Sequence, residues 1–549
     1  MNGVIDARTR TRDFALRLTQ RRSINGTSQE GSYAAFLKEV IEEIPYFQAN
    51  PADLWIELVP NDPLRRGVVL GLVRGLGQRT VILTGHFDTI GTTDYDQLEP
   101  WATEPADLTS RIVERLTITQ EDRQALDDLK SGRFLAGRGL LDMKSGLAAG
   151  LAAVEAFASQ DRRVGNLLFV AVPDEEDSSV GMRFIAPRLP GIANERGISL
   201  SLAINLDAAG DEGDGNNGQI VALGTIGKTL LSAYVVGQET HACYPFDGLS
   251  ASLIAAELVQ LMECSPLFTD SANPPPATLA MRDLKGAYNV TTPSRAWCSW
   301  NIISSSRKSA ELLTQVLEKA SEHLRQVVRR LTDNAEKLNA ADSFERIARY
   351  PIKIFTYEGL LRHISAVVPT FHLALGIVER EIAAETHLDL PTRAQEITEF
   401  VWRESGLTGP AVIFGFASMP YPATKTLDEI SPLLLRCVAR AASEVSDRHK
   451  VKISLRDRLE VIADMSFLGP IDPDDLKAIA ANTPIWRSSI QWEIAKAATP
   501  ALPTINAGPW GRGYHRWLER VEVPYAFAVL PDLLMAICQS VLCSPEEQL

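Results

Sequence analysis

The chain has no CxxC pair. Its six cysteines (Cys243, Cys264, Cys298, Cys437, Cys538 and Cys543) are scattered through 549 residues. That pattern excludes a zinc ribbon and a disulfide-dense secreted scaffold, and reads as buried free thiols in a reducing compartment. Basic residues are also in short supply. Lys and Arg total 55 against 69 Asp and Glu, a net charge of −14. A surface that cannot replace phosphate counterions disfavours a nucleic-acid partner, and one of this sign disfavours docking on an anionic membrane. No run of about 18 apolar residues stands out, and the opening MNGVIDARTRTRDFALRL has no apolar core of signal-peptide length. The expectation is a cytoplasmic protein. No GxxxxGK[ST] phosphate loop occurs, and no serine or cysteine sits in a nucleophile elbow.

What is present is ordinary globular material, 45% hydrophobic and 23% charged, long enough for two domains. Residues 11–22 read as an amphipathic helix. A polar turn then leads into a second helix over 23–44, with Ser28 as its expected cap. Apolar runs at 54–59, 67–73, 80–85, 166–176 and 200–210 read as strands, with GLVRGLG (71–77) as a hairpin between two of them. An Ala/Leu-rich helix spans 141–159, and 107–132 is a helical excursion. Strands alternating with helices predict an α/β sheet covered on both faces, with ligands at the carboxyl ends of its strands. The texture changes near Gly227. Strands at 230–238, 288–303 and 350–359, with helices at 247–263 and 307–332, predict an inserted α+β domain. Strands at 410–419 and 502–509 and a helix at 531–543 then return to the first domain. The predicted division is 1–225, 226–357 and 358–549.

The strand ends carry the chemistry. The run TVILTG leads to His86 and Asp88, GRFLAGRGL to Asp142, FVAVP to Asp174, Glu175 and Glu176, SLAINL to Asp207, and INAGPWGRGY to His515. Imidazole with carboxylate suits zinc, manganese or cobalt. Five such ligands exceed what one catalytic zinc takes, and suit a pair of ions about 3.5–4 Å apart bridged by one carboxylate. In the Glu175-Glu176 pair, one carboxylate can bind metal while its neighbour takes a proton from water.

Taken in order, GHFDT (85–89), GRGLLDMKSG (137–146), PDEED (173–177), NLDAAG (205–210) and HRWLERV (515–521) resemble the motifs of the M20 family of metallopeptidases and amidohydrolases. Length and the NGTSQEG segment (25–31) are most similar to its arginine-utilisation RocB-type branch. The resemblance implies a three-layer catalytic domain with an inserted ferredoxin-like lid that commonly dimerises. It implies two divalent metals, zinc first and cobalt or manganese as alternatives, and assigns His86 and Asp207 to one metal and Glu176 and His515 to the other. Asp142 would bridge them, Asp88 would orient His86, and Glu175 would be the general base. It also implies a cis bond between Asp142 and Met143.

In the inserted segment, THACYPFDGLSAS (240–252) resembles the family's HAGxPxxGxNA. This gives His241 the role of oxyanion stabiliser, reaching into a partner's site in a dimer, and places Asn289 near the substrate. GPWG (508–511) is either a substrate loop or a turn. Where many members carry Asp-Ile-Arg, this chain has Asn301-Ile302-Ile303, so the arginine that would clamp a substrate carboxylate is missing. The implied activity is hydrolysis of an amide in an N-acylated amino acid or short peptide, in arginine or ornithine metabolism. A di- or aminopeptidase on the same metals, and a non-catalytic binding protein on the same fold, are the alternatives. His323, His363, His372, His387 and His449 lack strand-end context and read as helix-surface or satisfied core residues.

Overall fold

The computed structural model describes residues 7–270, 273–349, 351–385, 387–469, 472–490, 492 and 502–544. The chain divides into two compact units. The first takes Met1–Ile226, Thr424–Pro470 and Ala498–Leu549; the second takes Gly227–Ala423 and Ile471–Ala497.

An eight-stranded sheet forms the centre of the first unit. Its order is Leu54–Leu58, Gly67–Val73, Val164–Val172, Leu76–His86, Ser199–Asn205, Thr504–Asn506, Ile220–Ala222 and Ser454–Arg456. Leu76–His86 runs parallel to both of its neighbours. Every residue of Gly67–Val73 and all but the first of Val164–Val172 are buried. This is why these strands read as unbroken apolar runs rather than alternating ones. The helices Ala7–Gln20, Ser145–Ala158, Pro432–His449 and Leu530–Leu542 share one hydrophobic core with the sheet. The segment Tyr525–Leu542 is apolar enough by length and composition to cross a membrane, contrary to the reading of the sequence. Two-thirds of it is buried in protein, and its Asp532 pairs with His449 at 2.7 Å, so it is a core helix.

The predicted hairpin at 71–77 does not form. Gly67–Val73 and Leu76–His86 are both paired to Val164–Val172, which lies between them. The turn between the two strands approaches that intervening strand so closely that a Cβ on Gly75 would stand 2.3 Å from the Gly165 carbonyl oxygen. The second helix spans Ser28–Glu42, with Thr27 and not Ser28 at the N-cap. Its third residue, Glu30, reaches back to accept from the Gly26 N–H at 2.8 Å.

A five-stranded sheet organises the second unit, in the order Ala277–Asp283, Arg295–Ser304, Gly227–Val236, Ala411–Phe416 and Lys353–Thr356. The helices Ala251–Met262 and Ser309–Lys337 pack on it. One expectation needs correction. The strand at 410–419 belongs here and not to the first unit, so the chain returns to the first unit at Thr424 and residues 358–423 lie in the second. Lys353–Thr356 is an edge strand with every residue half-buried. The position beside Gly227–Val236 is taken by Ala411–Phe416, which is buried throughout. The more apolar strand occupies the more covered position, as the hydrophobic effect requires. Between them, the helices Tyr357–Val367, Phe371–Ala384 and Leu390–Glu404 account for the expansion after residue 358. The edge strand Ala277–Asp283 has no counterpart in the sequence reading. Its mostly exposed side chains hide the alternation that would have revealed it.

Candidate metal centre

Three parallel strands end together in the first unit, and each hands a donor to the same place. Leu76–His86 ends on His86, Val164–Val172 runs into Asp174-Glu175-Glu176, and Ser199–Asn205 runs into Asp207. A second, four-stranded sheet brings in the remaining donors. It is ordered Phe134–Ala136, Arg520–Glu522, Trp510–Arg512 and Ala209–Gly210. Asp142 follows the first of these strands, and its bond to Met143 is cis, as the resemblance implies. His515 lies in the turn between Trp510–Arg512 and Arg520–Glu522, at φ 59°.

GPWG is not a free turn. Its Trp510 and Gly511 open a strand paired with Ala209–Gly210. A Cβ on Gly508 would stand 1.9 Å from the Asp207 carbonyl oxygen, so glycine is required by this close approach. Asn506 fixes the same carbonyl, donating to it from Nδ2 at 2.9 Å.

The donors fall into two groups that share Asp142. His86, Asp142 and Asp207 form one; Asp142, Glu176 and His515 form the other. His86 Nε2 lies 3.2 Å from Asp142 Oδ1 and 3.8 Å from Asp207 Oδ1. His515 Nε2 lies 2.8 Å from the other Asp142 oxygen, Oδ2, and 3.2 Å from Glu176 Oε2. Glu175 belongs to neither group, although its Oε2 is 3.9 Å from His86 Nε2.

The electrostatics are those of a site built around positive charge. Burial, and then Asp207, Asp464 and Glu176, push the Glu175 carboxyl well above the usual range. Burial, and then Asp142, push Glu176 up to about 7, and burial raises Asp207. Burial works to lower His515, but its bonds to Asp142 and Glu176 outweigh it and raise the ring to about 10. Four carboxylates and two imidazoles crowded in this way are costly without cations, and the donor chemistry fits two divalent ions sharing one carboxylate.

Asp88 is fully buried and accepts from the backbone N–H of Glu175 at 3.1 Å, the N–H of Glu176 at 3.2 Å and Asn25 Nδ2 at 2.9 Å. Its Oδ1 faces His86 Nδ1 at 3.6 Å, while its main-chain oxygen is nearer, at 3.1 Å. His86 is thus held through both the side chain and the backbone of Asp88.

His241 and Asn289 belong to the second unit. Their segments pair with each other: His241 bridges Thr291, and the Ala242 N–H donates to the Val290 carbonyl at 2.8 Å. Both side chains are exposed, and Asn289 Oδ1 accepts from the Thr291 N–H and hydroxyl. Of the other histidines, His323 and His449 are paired to Glu257 and Asp532, and His363, His372 and His387 are exposed.

Three further residues escaped the sequence. Asp464 is 1% exposed. Burial pushes it up to about 7, and it acts electrostatically on Glu175, Asp207 and His86. Glu519 sits within the HRWLERV motif and accepts from the Gly139 N–H at 2.9 Å and the Asp142 N–H at 3.4 Å. Asn25 was visible only as part of a polar turn and as the first residue of the NGTSQEG segment, with no role attached to it. The apolar strand that flags the other donors is missing before each of these three.

Comparison with known proteins agrees with this geometry. The profile described as "Peptidase family M20/M25/M40" matches residues 119–468. The chain is similar to the protein YqjN of Bacillus subtilis, 29% identical over 538 residues covering 96% of each chain. It is also similar to Protein RocB of the same organism, 29% identical over 526 residues covering 93% of this chain and 91% of that one. The fold matches the aminopeptidase PepT of Bacillus cereus at a TM-score of 0.53, with 15% identity and 97% and 98% of the two chains covered. An ordered motif set converging on one buried donor cluster, a family match across most of the chain and two full-length relatives lead to one assignment: the chain belongs to peptidase family M20/M25/M40 and is a hydrolase of carbon–nitrogen bonds.

Proposed function

We propose that the chain hydrolyses an amide bond of a small N-acylated amino acid or short peptide, with two divalent metals and Glu175 as general base. The observation that supports this most directly is the sharing of Asp142 between two donor groups, with a buried glutamate beside them that belongs to neither. In this reading His86, Asp142 and Asp207 hold one ion, and Asp142, Glu176 and His515 hold the other. Zinc is the first candidate, and cobalt or manganese would suit the same donors. Two such ions, when bound, supply polarisation of the scissile carbonyl and acidification of a water molecule.

The protein's own groups do the rest. Asp88 keeps the His86 ring oriented. Glu175 takes a proton from the attacking water and returns it to the leaving amine, and burial raises its carboxyl, which favours holding that proton between the two steps. By the family resemblance, His241 is the group that stabilises the oxygen gaining charge, and Asn289 is a substrate-binding residue. The edge strand Ala277–Asp283, which exposes Leu279 and Met281, is the dimer contact we favour. The resemblance to the arginine-utilisation RocB-type branch, read from the length and the NGTSQEG segment, is what supports a substrate drawn from arginine or ornithine metabolism.

A second reading, a di- or aminopeptidase, would use Asp464, a buried carboxylate that acts electrostatically on Glu175 and Asp207, to take a free substrate amine. The test is the metal content of purified protein together with turnover on a panel of N-acyl-amino acids and dipeptides. About two metals per chain and turnover on N-acyl compounds are expected. Glu175→Ala should keep its metal and lose about 10²–10⁴-fold in kcat. Metal-free protein after reconstitution would sink the reading and favour a non-catalytic binding role.

A further inference from the structure

The metal ligands come from separate strand ends, and two of those ends are joined by a side chain that is no ligand. The segment 23–26 runs beside 87–89: the Thr89 N–H donates to the Ser23 carbonyl at 3.0 Å, and the Asn25 N–H donates to the Thr89 carbonyl at 2.8 Å. This anchored backbone aims the Asn25 amide inward. Its Nδ2 donates to Asp88 Oδ2 at 2.9 Å and to Asp174 Oδ1 at 3.3 Å. An amide nitrogen has two protons, and each has a carboxylate.

Each of those carboxylates controls part of the centre. Asp88 faces His86 and accepts from the N–H groups of Glu175 and Glu176. Asp174 begins the turn that carries both glutamates, at φ 71°, a left-handed conformation that an aspartate keeps only when its surroundings hold it there. It is held by Ser178 Oγ at 2.8 Å, by the Val180 N–H at 3.0 Å and by Arg66. Arg66 is itself fixed by Asp62 at 2.7 Å and Glu30 at 3.4 Å, and Glu30 returns to the Gly26 N–H beside Asn25. The circuit closes on the residue that started it.

We propose that Asn25 is a positioning residue: its two amide protons set the carboxylate that orients His86 and the turn that presents Glu175 and Glu176 in one fixed relation. Only a neutral double donor serves here. An aspartate would put a third carboxylate between two others, and an alanine would leave Asp88 Oδ2 with the Glu176 N–H and Asp174 Oδ1 with Arg66 but remove the one side chain that bonds both. This inference rests on the metallohydrolase reading above.

The experiment uses the full chain as wild type, Asn25→Ala and Asn25→Asp. It reads zinc and cobalt affinity by chelator competition, the visible spectrum of the cobalt-loaded protein, kcat and KM on the best panel substrate, and the thermal midpoint of metal-free protein. Metal affinity should fall about 10–100-fold, the range for loss of a group supporting a metal ligand. Asn25→Asp should be the more severe variant. The cobalt spectrum should change, and kcat should fall with KM within about twofold, a signature of misplaced catalytic groups. Wild-type metal affinity and kcat in both variants would overturn the proposal. So would a lower metal-free midpoint with unchanged metal affinity in the folded fraction, which marks a structural role alone. Wild-type protein that binds no metal would overturn the parent reading too, and is distinguishable because it appears before any substitution is made.

Discussion

Arg138 Nη1 donates to Glu519 Oε2 at 2.6 Å, and each side chain is 1% exposed. The pair lies directly behind the shared aspartate, because the other Glu519 oxygen accepts from the Gly139 and Asp142 N–H groups. Arg138 is held in turn by Asp94 at 2.7 Å. Removing the arginine would leave Glu519 buried without its countercharge, and breaking a buried pair from one side costs about 3–5 kcal/mol. Arg138→Met is expected to lower the unfolding free energy of metal-free protein by that amount, measured as a shift in urea midpoint at unchanged slope. A shift within experimental error would show that Glu519 does not depend on the arginine.

Asp142 is the one donor common to both groups. Asp142→Ala is expected to reduce metal content from about two ions per chain to one or none, where Glu176→Ala should spare the His86 and Asp207 side. Dialysis of wild type against a chelator should abolish turnover, and adding back zinc, cobalt or manganese should restore it. Full metal content in Asp142→Ala would rule out a shared ligand.

Glu30 predicts a pH dependence of stability. Burial first, and then Asp88, raise its carboxyl from 4.5 to about 8. The folded state therefore holds this proton more tightly than the unfolded chain does. The associated stability is fully present below about 4.5 and is lost as pH rises toward 8. The thermal midpoint of metal-free wild type should accordingly fall between pH 5 and pH 9 by more than that of Glu30→Gln. Parallel curves for the two proteins would contradict the assignment.

Asp464 separates the two substrate classes. If a free amine docks on it, Asp464→Asn should raise KM for dipeptides about tenfold or more, the scale of losing one charge-assisted hydrogen bond, and leave N-acyl-amino acids nearly unchanged. A similar effect on both classes would make it a support for the metal centre rather than a specificity group.

The sequence made the metal donors legible because each follows an apolar strand, and a sheet gathers its strand ends whatever the intervening chain does. The donors His86, Asp142, Glu176, Asp207 and His515, and Glu175 beside them, were all marked in this way. Asn25, Asp464 and Glu519 were not, since a turn, a short helix and a motif interior carry no such flag. Strand neighbours were harder still. The spacing at 71–77 suits a hairpin, and only Val164–Val172, ninety residues on, reveals that another strand separates the pair. The strand Ala411–Phe416 looked like the resumption of the first unit because apolar composition reports burial and not the sheet that provides it.

His515 completes the donor set 308 residues after Asp207 in the chain. Synthesis therefore delivers the last ligand long after the others, and any growing or clipped polypeptide that stops short of it holds an incomplete centre. The order of residues acts as a timer: the second donor group is complete only once residue 515 has been added.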